Sequence, residues 1–159
     1  MLKLLVVDDE PGIREGLALG LGDLFDVDQA ANGAAALLAI AESRPDLVLL
    51  DQKMDGQSGV RVLEQIRCLD QHVPVVMLSA VMDVRLAMHS LRLGAQDCLV
   101  KPFSLEQLRT ALTGAMRRRP GHEDLDQRPF ALQVAPLMAQ SDSADGHFTT
   151  AGAISFCGC

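Results

Sequence analysis

The feature that most restricts the fold of this chain is a fivefold alternation over its first 118 residues, in which short apolar runs are separated by longer amphipathic stretches. Strand-like runs fall at Leu2–Val7, Phe25–Ala30, Leu47–Leu50, Val73–Leu78 and Asp97–Val100. Such alternation is the sequence sign of βαβ units and of a parallel sheet. The third and fourth runs are continuously apolar, as strands buried on both faces require. Helix signals lie between them. Pro11 stands just inside the first helix, where its missing N–H costs nothing, and Ser58, Asp83 and Ser104 are each placed to cap an N-terminus. Ser104 and Gln107 form a candidate capping box, ahead of a buried stripe of Leu105, Leu108 and Leu112. Gly94 reads as a left-handed helix stop and Asn32-Gly33 as a turn.

Each of four runs stops at polar residues: Asp8 and Asp9 after the first, Asp51 after the third, Ser79 after the fourth and Lys101 after the fifth. If the strands are parallel neighbours, all five side chains reach one edge, and in open α/β sheets ligands bind at that carboxyl edge. Three carboxylates in one pocket repel unless a cation compensates them. Mg²⁺ is the natural partner, since it takes oxygen ligands and is usually held by one or two carboxylates together with substrate phosphate. Asp8, Asp9 and Asp51, with a backbone carbonyl just after Asp51, would supply that shell. Lys101 and the Ser79 hydroxyl can hold phosphate oxygens. Asp51 stands apart from the acidic pair at the end of the central strand, where a carboxylate can act as nucleophile and give an aspartyl phosphate.

The blocks VVDDE, LVLLDQKM, VVMLSA and LVKPF, with Gly94-Ala95 before the last strand, resemble the receiver domain of bacterial two-component response regulators. The resemblance spans residues 1–118. It implies a doubly wound (βα)5 flavodoxin-like α/β fold with strand order 2-1-3-4-5. It further implies Asp51 as phosphoacceptor, Asp9 as direct Mg²⁺ ligand beside its acidic companion Asp8, and the Lys53 carbonyl in the metal shell. Ser79 is similar to the family's switch hydroxyl, Ala80 to the small neighbour that leaves access, and Lys101 to its phosphate-binding cation. Lys101-Pro102 resembles the family's cis peptide. The implied partners are a sensor histidine kinase or a histidine phosphotransfer protein, and a downstream protein effector. Homodimerisation through the fourth helix, fifth strand and fifth helix is a family habit.

Three positions depart from the pattern. Cys98 stands where the family carries Tyr, Phe or His, so the ring that swings inward on phosphorylation is missing. Asp55 stands where Pro is common, which leaves the loop after Asp51 less restrained. Lys53 places a long cation at the mouth of the site, expected to contact phosphate or Glu10.

Other classes fit less well. A phosphatase of the haloacid dehalogenase type wants a D-x-D nucleophile after the first strand, and a flavodoxin-like FMN binder wants an uncharged, hydroxyl-rich loop there. Val7-Asp8-Asp9-Glu10 supplies neither. A net charge of −7 opposes direct nucleic-acid binding, and no run is long and apolar enough to span a bilayer, so a cytoplasmic location is expected. Residues 119–159 lack a sustained period and read as a largely disordered tail without an output domain; the alternative is a receiver fragment of a transcriptional regulator. The four cysteines are expected to be reduced, with Cys98 a small buried hydrophobe. The four histidines read as surface residues, and Met77 and Met88 as core.

Overall fold

The computed structural model describes residues 1–80 and 84–118, so the Asp83 cap and the 119–159 tail lie outside the described residues. The chain runs through β1 (Leu2–Val7), α1 (Pro11–Leu21), β2 (Phe25–Ala30), α2 (Gly33–Ser43) and β3 (Leu47–Asp51). A short hairpin follows, β4 (Lys53–Met54) and β5 (Gln57–Ser58). Then come α3 (Gly59–Leu69), β6 (Val75–Ser79), α4 (Val84–Arg92), β7 (Asp97–Val100) and α5 (Leu105–Arg117). The five long strands pair in parallel in the order β2-β1-β3-β6-β7. That is the expected 2-1-3-4-5 order, with the hairpin strands interposed in the numbering.

Because strand side chains alternate between faces, the sheet divides the core in two. Leu5, Val7, Val48, Leu50, Val75 and Met77 pack with Ala36 and Ile40 of α2, with Val62, Leu63 and Ile66 of α3, and with Ala87 of α4. Leu4, Val6, Leu47, Leu49, Val76 and Leu78 pack with Leu21 of α1 and with Leu108 and Leu112 of α5. Every residue of β3 and β6 is buried, which is why those two runs carry no polar alternation.

Several local signals appear as atoms. Ser58 accepts the Val60 N–H, and Ser104 with Gln107 forms the full reciprocal capping box. Asn32 does more than turn the chain: its side chain caps α2 by accepting the Ala35 N–H at 2.8 Å. Gly94 has φ +95°, the left-handed stop expected after α4. His72 and His89 are exposed, as expected.

Other expectations shift. β6 starts at Val75 instead of Val73, because Pro74 has no N–H to give a ladder and Asp70 Oδ1 accepts the His72 and Val73 N–H groups in a turn. On α5 the buried stripe is Leu108, Ala111, Leu112 and Ala115, while Leu105, in the first turn, is 42% exposed. Met77 is core, but Met88 is only half-buried; α4 instead buries Ala87 and Ser90, whose hydroxyl donates to the Leu86 carbonyl. Cys68 is disulfide-bonded, against the expectation of four reduced thiols. It lies on the exposed side of α3, where a thiol is open to pairing.

At the edge of the sheet where β6 and β7 begin, Arg67 acts as a clamp. Its guanidinium donates to the carbonyls of Asp70 (3.2 Å), Val73 (2.9 Å) and Gly94 (2.7 Å), joining the end of α3 to the approaches of both strands. Arg67→Ala would strand these acceptors, and the expected loss is about 2 kcal/mol of unfolding free energy. Chemical denaturation checks this; an unchanged midpoint would show that water replaces the clamp.

Candidate functional site

Alternation of side chains explains which residues meet. Asp8 and Asp51 continue the α1/α5 side of β1 and β3, and Lys101 continues the same side of β7. Lys101 Nζ lies 3.2 Å from Asp51 Oδ1 and 3.7 Å from Asp8 Oδ2. Asp8 and Asp51 are buried at 1% and 5% exposure, so the pair of anions and its cation are largely out of water.

Asp9 belongs to the other parity and turns toward the hairpin. Its Oδ2 accepts the backbone N–H of Asp55 at 2.8 Å. Asp8 Oδ1 accepts the Glu10 N–H at 2.9 Å, while Asp8 Oδ2 is buried without a hydrogen-bond donor. A carboxylate oxygen from each of Asp8, Asp9 and Asp51 lies within 4.8 Å of the others. Burial, followed by the charges of Asp8 and Asp9, raises the pKa of Asp51, and Lys101 opposes the rise.

An all-oxygen set of this kind fits a hard divalent cation. Three carboxylates close together, one with a buried oxygen that lacks a donor, have too much negative charge for Lys101 alone to compensate.

The backbone holds the edge in place. The Gln52 N–H donates to the Leu78 carbonyl at 2.8 Å and the Lys101 N–H to the Ser79 carbonyl at 2.6 Å, so β3, β6 and β7 stay laced together up to the site. Ser79 is buried at the end of β6, next to exposed Ala80. Lys101-Pro102 is cis, as the resemblance implies.

Sequence reading missed three contributors. A Cβ at Gly59 would collide with the Asp51 carbonyl oxygen, so this glycine allows α3 to start directly against Asp51. Arg14 of α1 donates to the Asp8 carbonyl at 2.7 Å. The third is the Asp55 N–H. Of these, Gly59 alone had a local cue, as a small residue right after the Ser58 cap.

Lys53 is exposed in the hairpin and forms no ion pair with Glu10 among the described residues, so that expected contact is absent. Pairing with Ser58 holds its backbone in the ribbon, leaving the long side chain in solvent.

Cys98 is buried at 2% exposure as a free thiol, and burial together with the neighbouring Asp97 charge pushes its pKa up to about 11. It borders a cleft of about 560 Å³ between β7 and α5, with Gln107, Thr110, Arg117 and Arg118 on the helix side. The Cys98 side chain itself belongs to the core on the opposite face of the sheet, with Met77, Ala87 and Ala95. Cys98 should resist alkylation by iodoacetamide at neutral pH in the native state and react once the chain is unfolded. Fast native labelling of Cys98 itself, located by peptide mass mapping, would contradict this placement.

A doubly wound parallel sheet with this acidic edge and its lysine defines a domain of the receiver type. The response regulator receiver domain model matches residues 4–113, and the chain belongs to that family. Sporulation initiation phosphotransferase F of Bacillus subtilis is 36% identical over 115 residues, covering 69% of this chain and 90% of that protein. Transcriptional regulatory protein PrrA of Mycobacterium tuberculosis is 41% identical over 153 residues, covering 92% of this chain and 66% of PrrA. The DNA-binding response regulator MtrA of Mycolicibacterium smegmatis is 40% identical, and the chain spans 51% of its length. Among solved structures, a response regulator receiver domain protein from Clostridium thermocellum superposes with a TM-score of 0.70 at 30% identity, covering 74% of this chain and 96% of that one. No helix among the described residues is long and apolar enough to cross a membrane.

Proposed function

We propose that this receiver takes a phosphoryl group on Asp51 from the phosphohistidine of a sensor histidine kinase or a histidine phosphotransfer protein, and passes the change to a protein effector. The observation that supports this reading is the Lys101 ammonium set between the buried carboxylates of Asp51 and Asp8, with Asp9 alongside. An Asp51 carboxylate oxygen forms the bond to phosphorus while the phosphorus–nitrogen bond to the donor imidazole breaks, its electron pair leaving on the nitrogen.

Asp8, Asp9 and Asp51, with the Lys53 carbonyl, would hold Mg²⁺, which when bound neutralises charge on the phosphoryl oxygens. Lys101 then exchanges its Asp51 contact for a phosphoryl oxygen, and Ser79 donates its hydroxyl to another. Ala80 leaves the approach open. With Cys98 in place of a ring, movement of Ser79 has no aromatic side chain to displace.

A second reading has its own support. PrrA matches 92% of this chain yet extends well beyond it, which favours a receiver that works as part of a longer transcriptional regulator. The chemistry at Asp51 is the same in both. Incubating the chain with acetyl phosphate and Mg²⁺, then measuring intact mass, tests that chemistry: one added phosphoryl group per chain is expected, and steady hydrolysis without labelling would instead indicate a phosphatase.

A further inference from the structure

We propose that Asp55 is a positioning residue for the cation site, acting through its backbone N–H on the carboxylate of Asp9. The proposal rests on the reading of Asp9 as a metal ligand. Met54 and Gln57 pair across the hairpin, so Asp55 and Gly56 are the two residues of its turn. Gly56 has φ +73°, whereas Asp55 keeps a negative φ, which is the pattern of a type II turn. Met54 is 7% exposed and packs into the core between the sheet and α2 to α4, so the hairpin is anchored from below.

From that anchored turn the Asp55 N–H reaches Asp9 Oδ2 at 2.8 Å. One carboxylate oxygen is thereby fixed, and the other is left for a cation. Hydrogen bonds to a ligating carboxylate set its orientation, and their loss typically costs 10- to 100-fold in metal affinity. The same bond ties the hairpin, and with it the Lys53 backbone, to the acidic pair. A proline at this position could not supply it, since proline has no N–H.

The turn makes the test clean. Proline is favoured at the first central position of a type II turn, and Met54 before it is already extended, so Asp55→Pro removes the N–H without demanding a new backbone path. Asp55→Ala removes the carboxylate and keeps the N–H. The chain has no Trp or Tyr, so Mg²⁺ affinity is best measured by titration calorimetry. Asp55→Pro is expected to bind Mg²⁺ about tenfold more weakly than Asp55→Ala.

Equal affinities for the two variants, with the native chain binding Mg²⁺, would overturn the proposal and leave the cation site intact. A native chain that takes up no Mg²⁺ would overturn the site and the proposal together. Amide hydrogen exchange of the native chain gives a measurement independent of either variant. The Asp55 amide should be protected both without and with Mg²⁺, and exchange as fast as an open turn, or protection lost on adding Mg²⁺, would show that the bond does not support the loaded site.

Discussion

Asp51→Asn is expected to abolish labelling by acetyl phosphate and Mg²⁺ while making the fold more stable. In the proposed reaction the Asp51 carboxylate is the nucleophile, and the amide lacks that anionic oxygen, so intact mass should show no added phosphoryl group. Stability should rise because the replaced carboxylate is buried beside two others. Its pKa lies above the ordinary 3.8 in the folded chain, first through burial and then through Asp8 and Asp9. A raised carboxyl pKa favours folding only below the unfolded value, and that contribution is lost as pH rises through the folded pKa. The variant and the native chain should therefore unfold alike in acid and diverge toward neutrality, with the variant ahead by about 1 kcal/mol in Mg²⁺-free buffer. Undiminished labelling would move the acceptor elsewhere.

Lys101→Met should damage both chemistry and stability. The ammonium is within 3.2 Å of Asp51 and 3.7 Å of Asp8, and a thioether leaves both carboxylates without their cation. An expected loss of about 2 kcal/mol follows from uncompensated buried charge. The sign with pH is set by Asp51: Lys101 lowers its pKa, so removal pushes it further up, and the penalty shrinks as acid protonates the carboxyl. Labelling should fall roughly 100-fold, because a donor aimed at developing phosphoryl charge is gone. A variant as stable as the native chain at neutral pH would mean that water reaches the pair.

The sheet was legible because β3 and β6 are buried on both faces and therefore carry uninterrupted apolar runs. The site was legible for a related reason: Asp8, Asp51, Ser79 and Lys101 each interrupt or follow such a run, and parallel pairing brings strand ends together. What escaped was contact made by backbone or by residues that look solvated. The hairpin has two residues per strand, too few for any period to show. The Asp55 N–H bears on Asp9 across 46 positions, and nothing in the identity of an aspartate announces a backbone donor. Arg67 reads as a surface residue of an amphipathic helix, yet its guanidinium reaches three carbonyls in two loops. Cys68 gave no sign of pairing, since its nearest cysteine in sequence is Cys98.

The Arg67 clamp also bears on how such a molecule moves. It sits where β6 and β7 begin, whereas Ser79 and Lys101 lie where they end. The clamp and the acidic edge thus hold opposite ends of the same two strands, so the ladder between them is the physical link through which a change at either end is felt at the other.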